Sequence, residues 1–232
     1  MTRNTQIPLD GRYVVVFTLI SFLSYGAHEL IHHLVARATC GAWGSMTFST
    51  FALATGCEPT GTVLVATLAG PALTYVLMYA GAALILGGRP LAGVTLVLAN
   101  LPLARLVTVL MRGGDEMVLG RAWIGGGAAW PVMLALTLLL LAPPAVLAYR
   151  AIGNRYRPAL FAALLVLPLF IDMALKRVLL ARILESWPSA IAGVPLLFLV
   201  AMALAAAALL ALLRARPWRV AGTAELAARP PV

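Results

Sequence analysis

Six apolar stretches, at 13–39, 61–87, 91–111, 129–148, 158–175 and 190–213, reach or approach the ~20 residues a helix needs to cross a bilayer. Only the first holds a dense polar cluster. Of the 232 positions, 62% are hydrophobic and 11% charged, with a mean hydropathy of +0.96. A water-soluble core of this size would leave much of that apolar surface exposed. Soluble globular, disordered and fibrous classes are therefore excluded. The chain reads as an all-α polytopic membrane protein with about six transmembrane helices, expected in the cell membrane with the lipid bilayer as its surroundings. The first stretch is too long for a signal-peptide core and is read as a retained span.

The balance of 17 basic and 8 acidic residues gives a net charge of +9. Most basic residues lie between the apolar runs, so positive-inside anchoring explains them and no nucleic-acid partner is expected. With six spans, one side of the membrane carries Arg3, Arg12, Arg89, Arg150, Arg155, Arg157, Arg214, Arg216, Arg219 and Arg229. The other carries Arg37, Arg112, Arg121, Lys176, Arg177 and Arg182. Ten against six favours a cytoplasmic N-terminus.

Two segments depart from the helical pattern. Residues 40–60 mix Gly, Thr and Ser with aromatics, including Met46-Thr47-Phe48-Ser49-Thr50-Phe51. This is a short β-prone segment after the first span, re-entrant or interfacial. Residues 112–128 hold Gly113-Gly114-Asp115-Glu116 and Gly125-Gly126-Gly127, which excludes a regular membrane helix. Residues 176–185 read as an amphipathic extension at the interface, and 214–232 as a basic, disordered tail.

All three histidines fall in His28-Glu29-Leu30-Ile31-His32-His33, in the second half of the first span. Positions i and i+4 of a helix share a face, so His28 and His32 can reach one ion. Glu29, about 100° round the helix, can then contact a water on the metal rather than the metal itself. H-E-x-x-H zinc peptidases divide the labour this way, with two imidazole ligands and a carboxylate general base. His33 is not needed by the pattern. Gly26 and Ala27 keep the helix slim before the site, inviting close approach of another backbone. The bland alternative is hydrogen bonding inside a bundle. Four such residues in an apolar span are costly unless paired or metal-bound, which favours the metal.

A catalytic zinc takes three protein ligands and leaves one position open. With no fourth histidine, a carboxylate or thiolate must complete the set. Asp115 follows the third span, on the membrane side toward which His28 and His32 lie, and is favoured by topology. Asp172, inside Leu169-Phe170-Ile171-Asp172-Met173, is the rival, and Glu116 a lesser candidate. Arg105 either snorkels, pairs with an acid or stabilises an oxyanion. Cys40 and Cys57 flank the β-prone loop and stand as a disulfide, as two free thiols, or with one of them a thiolate ligand.

At these residues the chain resembles the site-2-protease family of intramembrane zinc metalloproteases, peptidase family M50. His28, Glu29, His32 and Ala36 meet H-E-x-x-H-x-x-x-A, and Ala69-Gly70-Pro71 matches the small-Gly-Pro element of the next span. Asn100, Pro102 and Asp115 match the later Asn-x-x-Pro and Asp-Gly segment loosely, with a longer spacing and Glu in place of Gly after the Asp. Thr74 stands where the second-span motif often has Asn. The likeness covers roughly residues 13–120.

The resemblance implies one Zn2+ held by His28, His32 and Asp115, with Glu29 as catalytic base on a zinc-bound water. It also implies that residues 45–52 receive a membrane-protein substrate in extended form. On this reading 1–128 is the metalloprotease core and 129–213 adds three helices. The family usually sets its site toward the cytosol, opposite to the arginine count. Other classes that use the same histidines are a metal transporter or sensor, and a scaffold that binds transmembrane helices without cleaving them.

Overall fold

The computed structural model describes residues 4–57 and 61–215, side chains of Thr62, Lys176 and Arg177 apart. Glu58, Glu225 and all but the first two residues of the expected tail lie outside it. Helix α1, Gly11–Cys40, starts at Asp10, whose carboxylate accepts from the Tyr13 amide at 2.7 Å. It stops at Gly41, whose φ of 74° ends the helix in a left-handed turn. Then follow β1 (Ser45–Met46), β2 (Phe51–Ala52), α2 (Thr62–Leu86), α3 (Pro90–Ala99), α4 (Pro102–Leu110), α5 (Gly114–Trp123) and α6 (Ala129–Ala151). Helix α7 (Arg157–Ile171), a π-helical stretch (Asp172–Leu180), α8 (Ala181–Ser186), β3 (Ala190–Ile191), β4 (Val194–Pro195) and α9 (Leu196–Ala215) complete the order.

The protein is mostly helical, and six helices are long and apolar enough to cross a membrane: Gly11–Cys40, Val63–Leu86, Pro90–Leu110, Ala129–Ala151, Arg157–Ser186 and Leu196–Ala215. Leu139, Phe170 and Leu204 on these helices are about two-thirds exposed, as side chains facing lipid would be. Two of the expected spans differ in detail. The third span is broken, because Pro102 disfavours helical geometry at Leu101, which turns left-handed at φ 56°. The sixth begins at Leu196 rather than 190. Residues 190–195 form a hairpin whose two turn residues, Ala192 and Gly193, both have positive φ, and Pro195 follows. Between α4 and α6, the Gly-rich 112–128 holds the short helix α5 and no span.

One end of the bundle is closed by the N-terminal segment. Thr5 N–H donates to the Ala151 carbonyl and Gly153 N–H to the Thr5 carbonyl, Ile7 and Asn154 bond reciprocally, and Arg12 donates to the Leu212 carbonyl near the end of α9. Tyr13, Phe17, Ile85, Leu98, Ile152 and Leu164 are buried beside it. At the opposite end the expected β-prone segment is an antiparallel pair, Ser45 opposite Ala52 and Met46 opposite Phe51. Its turn is closed by Thr47 N–H to Thr50 C=O at 2.8 Å. The other edge of β1 meets the second hairpin through Met46 N–H to Gly193 C=O at 3.0 Å. There Met46 and Phe48 pack against Val194 and Phe198, with Leu180 and Leu184 of the expected amphipathic extension over them. Gly26 faces a side chain, Met202 of α9, rather than another backbone.

Candidate metal centre

The i, i+4 spacing on α1 puts His28 and His32 one above the other, with ring centroids 4.6 Å apart. Both are buried, as are Glu29 and His33, none more than 5% exposed. Each imidazole is held by its Nδ1. His32 Nδ1 lies 2.6 Å from the Ala66 carbonyl, which only accepts, so that nitrogen carries the proton. His28 Nδ1 lies 3.0 Å from Thr74 Oγ1, whose own hydrogen is donated to the Gly70 carbonyl at 3.0 Å. Thr74 therefore accepts from His28. Both Nε2 lone pairs are thereby turned toward one another's side of the site, and helix α2 supplies both orienting partners.

Asp115, in the first turn of α5, brings the third atom. Its Oδ2 stands 3.2 Å from His28 Nε2 and 3.5 Å from His32 Nε2, and the two nitrogens are 3.1 Å apart. Two ligand atoms of a tetrahedral set at ordinary zinc bond lengths lie about 3.3 Å apart, so the triangle has the size such an ion requires. Three electron-pair donors this close repel one another unless positive charge lies among them. The group His28, His32 and Asp115 could hold one metal ion.

Arg105, from α4, supplies part of that charge. Its Nη1 is 2.9 Å from Asp115 Oδ2 and its Nη2 is 2.7 Å from His28 Nε2. It is paired, as one of the sequence alternatives had it, and does not snorkel. Glu116 lies behind it at 3.3 and 3.4 Å and accepts from Tyr75 at 3.3 Å. Burial alone would push the Asp115 carboxyl up. His28, His32 and then the Arg105 guanidinium outweigh it and hold the group well below the usual carboxylate range.

The structure thus brings three of the sequence candidates together and separates the others. Asp172 is buried at the head of the π-helical stretch and is not in the cluster. Glu116 serves Arg105 instead. Cys40 and Cys57 are joined as a disulfide, which removes the thiolate alternative. Glu29 follows His28 directly and interacts electrostatically with His32. His33 turns elsewhere, donating to the Ala192 carbonyl at 2.8 Å and stacking on Trp43.

Three contributors carried little signal in the sequence. The Ala66 carbonyl has no side-chain signature. Thr74 stood out only as a departure from a motif, and Phe51, stacked on His32 at 4.6 Å, only as an aromatic in a β-prone run. Replacing Thr74 with Val keeps the shape but removes the acceptor. Zn2+ affinity, measured by competition with a chromophoric chelator, should fall about ten- to a hundredfold, as for other partners of ligating histidines. An unchanged affinity would reduce Thr74 to packing.

Comparison with models of known protein families, with curated proteins and with solved structures finds no match.

Proposed function

We propose that this protein is an intramembrane metalloprotease of the site-2-protease kind, hydrolysing peptide bonds within or next to the transmembrane segments of membrane-protein substrates in the cell membrane. The observation that supports this best is the convergence of His28 Nε2, His32 Nε2 and Asp115 Oδ2 beside an H-E-x-x-H glutamate. These three residues would hold one Zn2+, and two nitrogens with one carboxylate oxygen suit that ion. Zinc bound there would lower the pKa of a water and polarise a carbonyl.

Glu29 is the general base. It takes a proton from the attacking water as the new C–O bond forms, and passes it to the amine nitrogen as the C–N bond breaks. Thr74 and Ala66 hold the imidazoles in one tautomer. Arg105 keeps Glu116 as a second carboxylate, so its charge stays balanced when Asp115 serves the metal. Among the described residues β2 has no strand partner except β1, and its Phe51 lies against His32. An extended substrate added to that edge runs beside the metal centre, and pairing of main chains offsets the unwinding of its helix.

The test is Glu29→Gln in proteoliposomes, reading release of labelled fragments from single-span model peptides. Cleavage should fall at least about a hundredfold, the usual scale of a lost general base, while zinc content stays at the wild-type level. Cleavage that survives the change would remove Glu29 from this role. Stoichiometric metal with no cleavage by wild type across such a peptide panel would favour a metal transporter or sensor, or a helix-binding scaffold.

A further inference from the structure

We propose that the metal centre opens on the extracytoplasmic, oxidising side of the membrane. Building on the peptidase reading above, this protein would take its substrates by the outward ends of their membrane segments. The first step is to locate the centre along the bundle. His28 and His32 lie in the half of α1 that ends at Cys40, and Asp115 lies in the α4–α6 connection. Both short hairpins sit at the same end. Met46 N–H bonds Gly193 there, and His33 bonds Ala192. The N-terminal segment, the α6–α7 connection and the end of α9 are tied together at the opposite end through Thr5, Asn154 and Arg12.

The disulfide then orients the bundle. The chain's two cysteines, Cys40 at the end of α1 and Cys57 in the connection that follows, are joined beside the centre with a Cα separation of 5.7 Å. Disulfides persist in oxidising compartments and are rare where glutathione and thioredoxin keep thiols reduced. That places the hairpin end outside. Among the described residues the basic positions at the two ends divide evenly, six at each, so charge in the structure does not oppose this orientation. At each end three of them have local partners: Arg37 on Trp43, Arg112 on Trp130 and Arg121 to the Arg112 carbonyl here, Arg12 to the Leu212 carbonyl, Arg155 on Tyr156 and Arg157 on Tyr149 there.

The consequence concerns substrate and product. An extended segment reaching β2 enters from the outer boundary of the membrane, and hydrolysis there frees the outward fragment while the cytoplasmic end stays anchored. Substrates are then membrane proteins whose scissile bond lies near the outer boundary, the reverse of a cytosol-facing site.

The test is thiol labelling in bacterial cells expressing the full chain, with a small sulfonated maleimide that does not cross the inner membrane. Wild type should not react until an impermeant phosphine reductant is added. Cys40 and Cys57 should then label in intact cells as fully as in opened ones. In a Cys40→Ser, Cys57→Ser, Arg155→Cys variant, the single thiol of the α6–α7 connection should label only in opened cells. Free thiols before reduction, labelling of Cys40 and Cys57 only after opening, or labelling of Arg155→Cys in intact cells would each overturn the orientation. A C-terminal green-fluorescent-protein fusion of wild type needs no cysteine change. Fluorescence supports the proposal, and a dark fusion paired with an active alkaline phosphatase fusion overturns it. None of these readouts uses activity. An inverted result therefore leaves the peptidase reading standing with a cytosolic site, whereas failure of that reading shows in metal content and in the Glu29→Gln assay.

Discussion

Asp115→Ala, purified in detergent, should retain less than about a tenth of the zinc of wild type, which should carry about one ion per chain on three protein ligands. The reason lies in the triangle of donors. Removing Oδ2 leaves His28 Nε2 and His32 Nε2 only 3.1 Å apart, two ligands where a zinc site needs three. Arg105 loses its 2.9 Å partner but keeps Glu116, so the buried guanidinium retains a carboxylate and the bundle should stay folded. His28→Ala should lose the metal equally. Asp172→Ala is the informative control, because Asp172 stands outside the cluster and its variant should bind a full complement. Zinc retained by a well-folded Asp115→Ala would exclude this ligand. Zinc lost from Asp172→Ala instead would move the third ligand to the fifth span.

Gly70→Ala should be as damaging although it removes no functional group. A Cβ at this position would lie 2.5 Å from His28 Cε1 and closer still to His32 Nε2, whereas real Cβ contacts essentially never fall below 3.0 Å. The glycine is inside α2, and the obstructing atoms belong to the two rings that must meet the metal. Relief requires either that α1 and α2 separate or that the rings rotate. Rotation breaks the bonds from His28 to Thr74 and from His32 to Ala66. Overpacking of this kind costs about 1–3 kcal/mol. We expect a lowered melting temperature in detergent together with loss of most of the zinc. Gly11→Ala, where nothing lies within 4 Å of the added carbon, should behave as wild type. Full zinc binding by Gly70→Ala would mean that the helices separate without disturbing the site.

What this sequence determines alone is local. Helix-long apolar runs force spans because backbone polar groups must be satisfied within the bilayer, and that requirement is read residue by residue. The i, i+4 spacing of His28 and His32 is likewise a property of one helix, as is the stop at Gly41. The tertiary structure decided the rest. His28 and Asp115 are 87 positions apart, and nothing near either residue distinguishes Asp115 from Asp172 as the partner. In a soluble helix an apolar stripe would have shown which face packs inward. In these spans the lipid-facing and bundle-facing sides are both apolar, so the pattern does not say which helices meet or at what rotation. Packing of α1 against α2 selected Thr74, Ala66 and Gly70 as the surroundings of the histidines, and packing of α2 against α5 brought Asp115 to them. The hairpin at 190–195, read in sequence as the start of a span, stands apart from α9 because its turn adopts positive φ and His33 and β1 bond to it there.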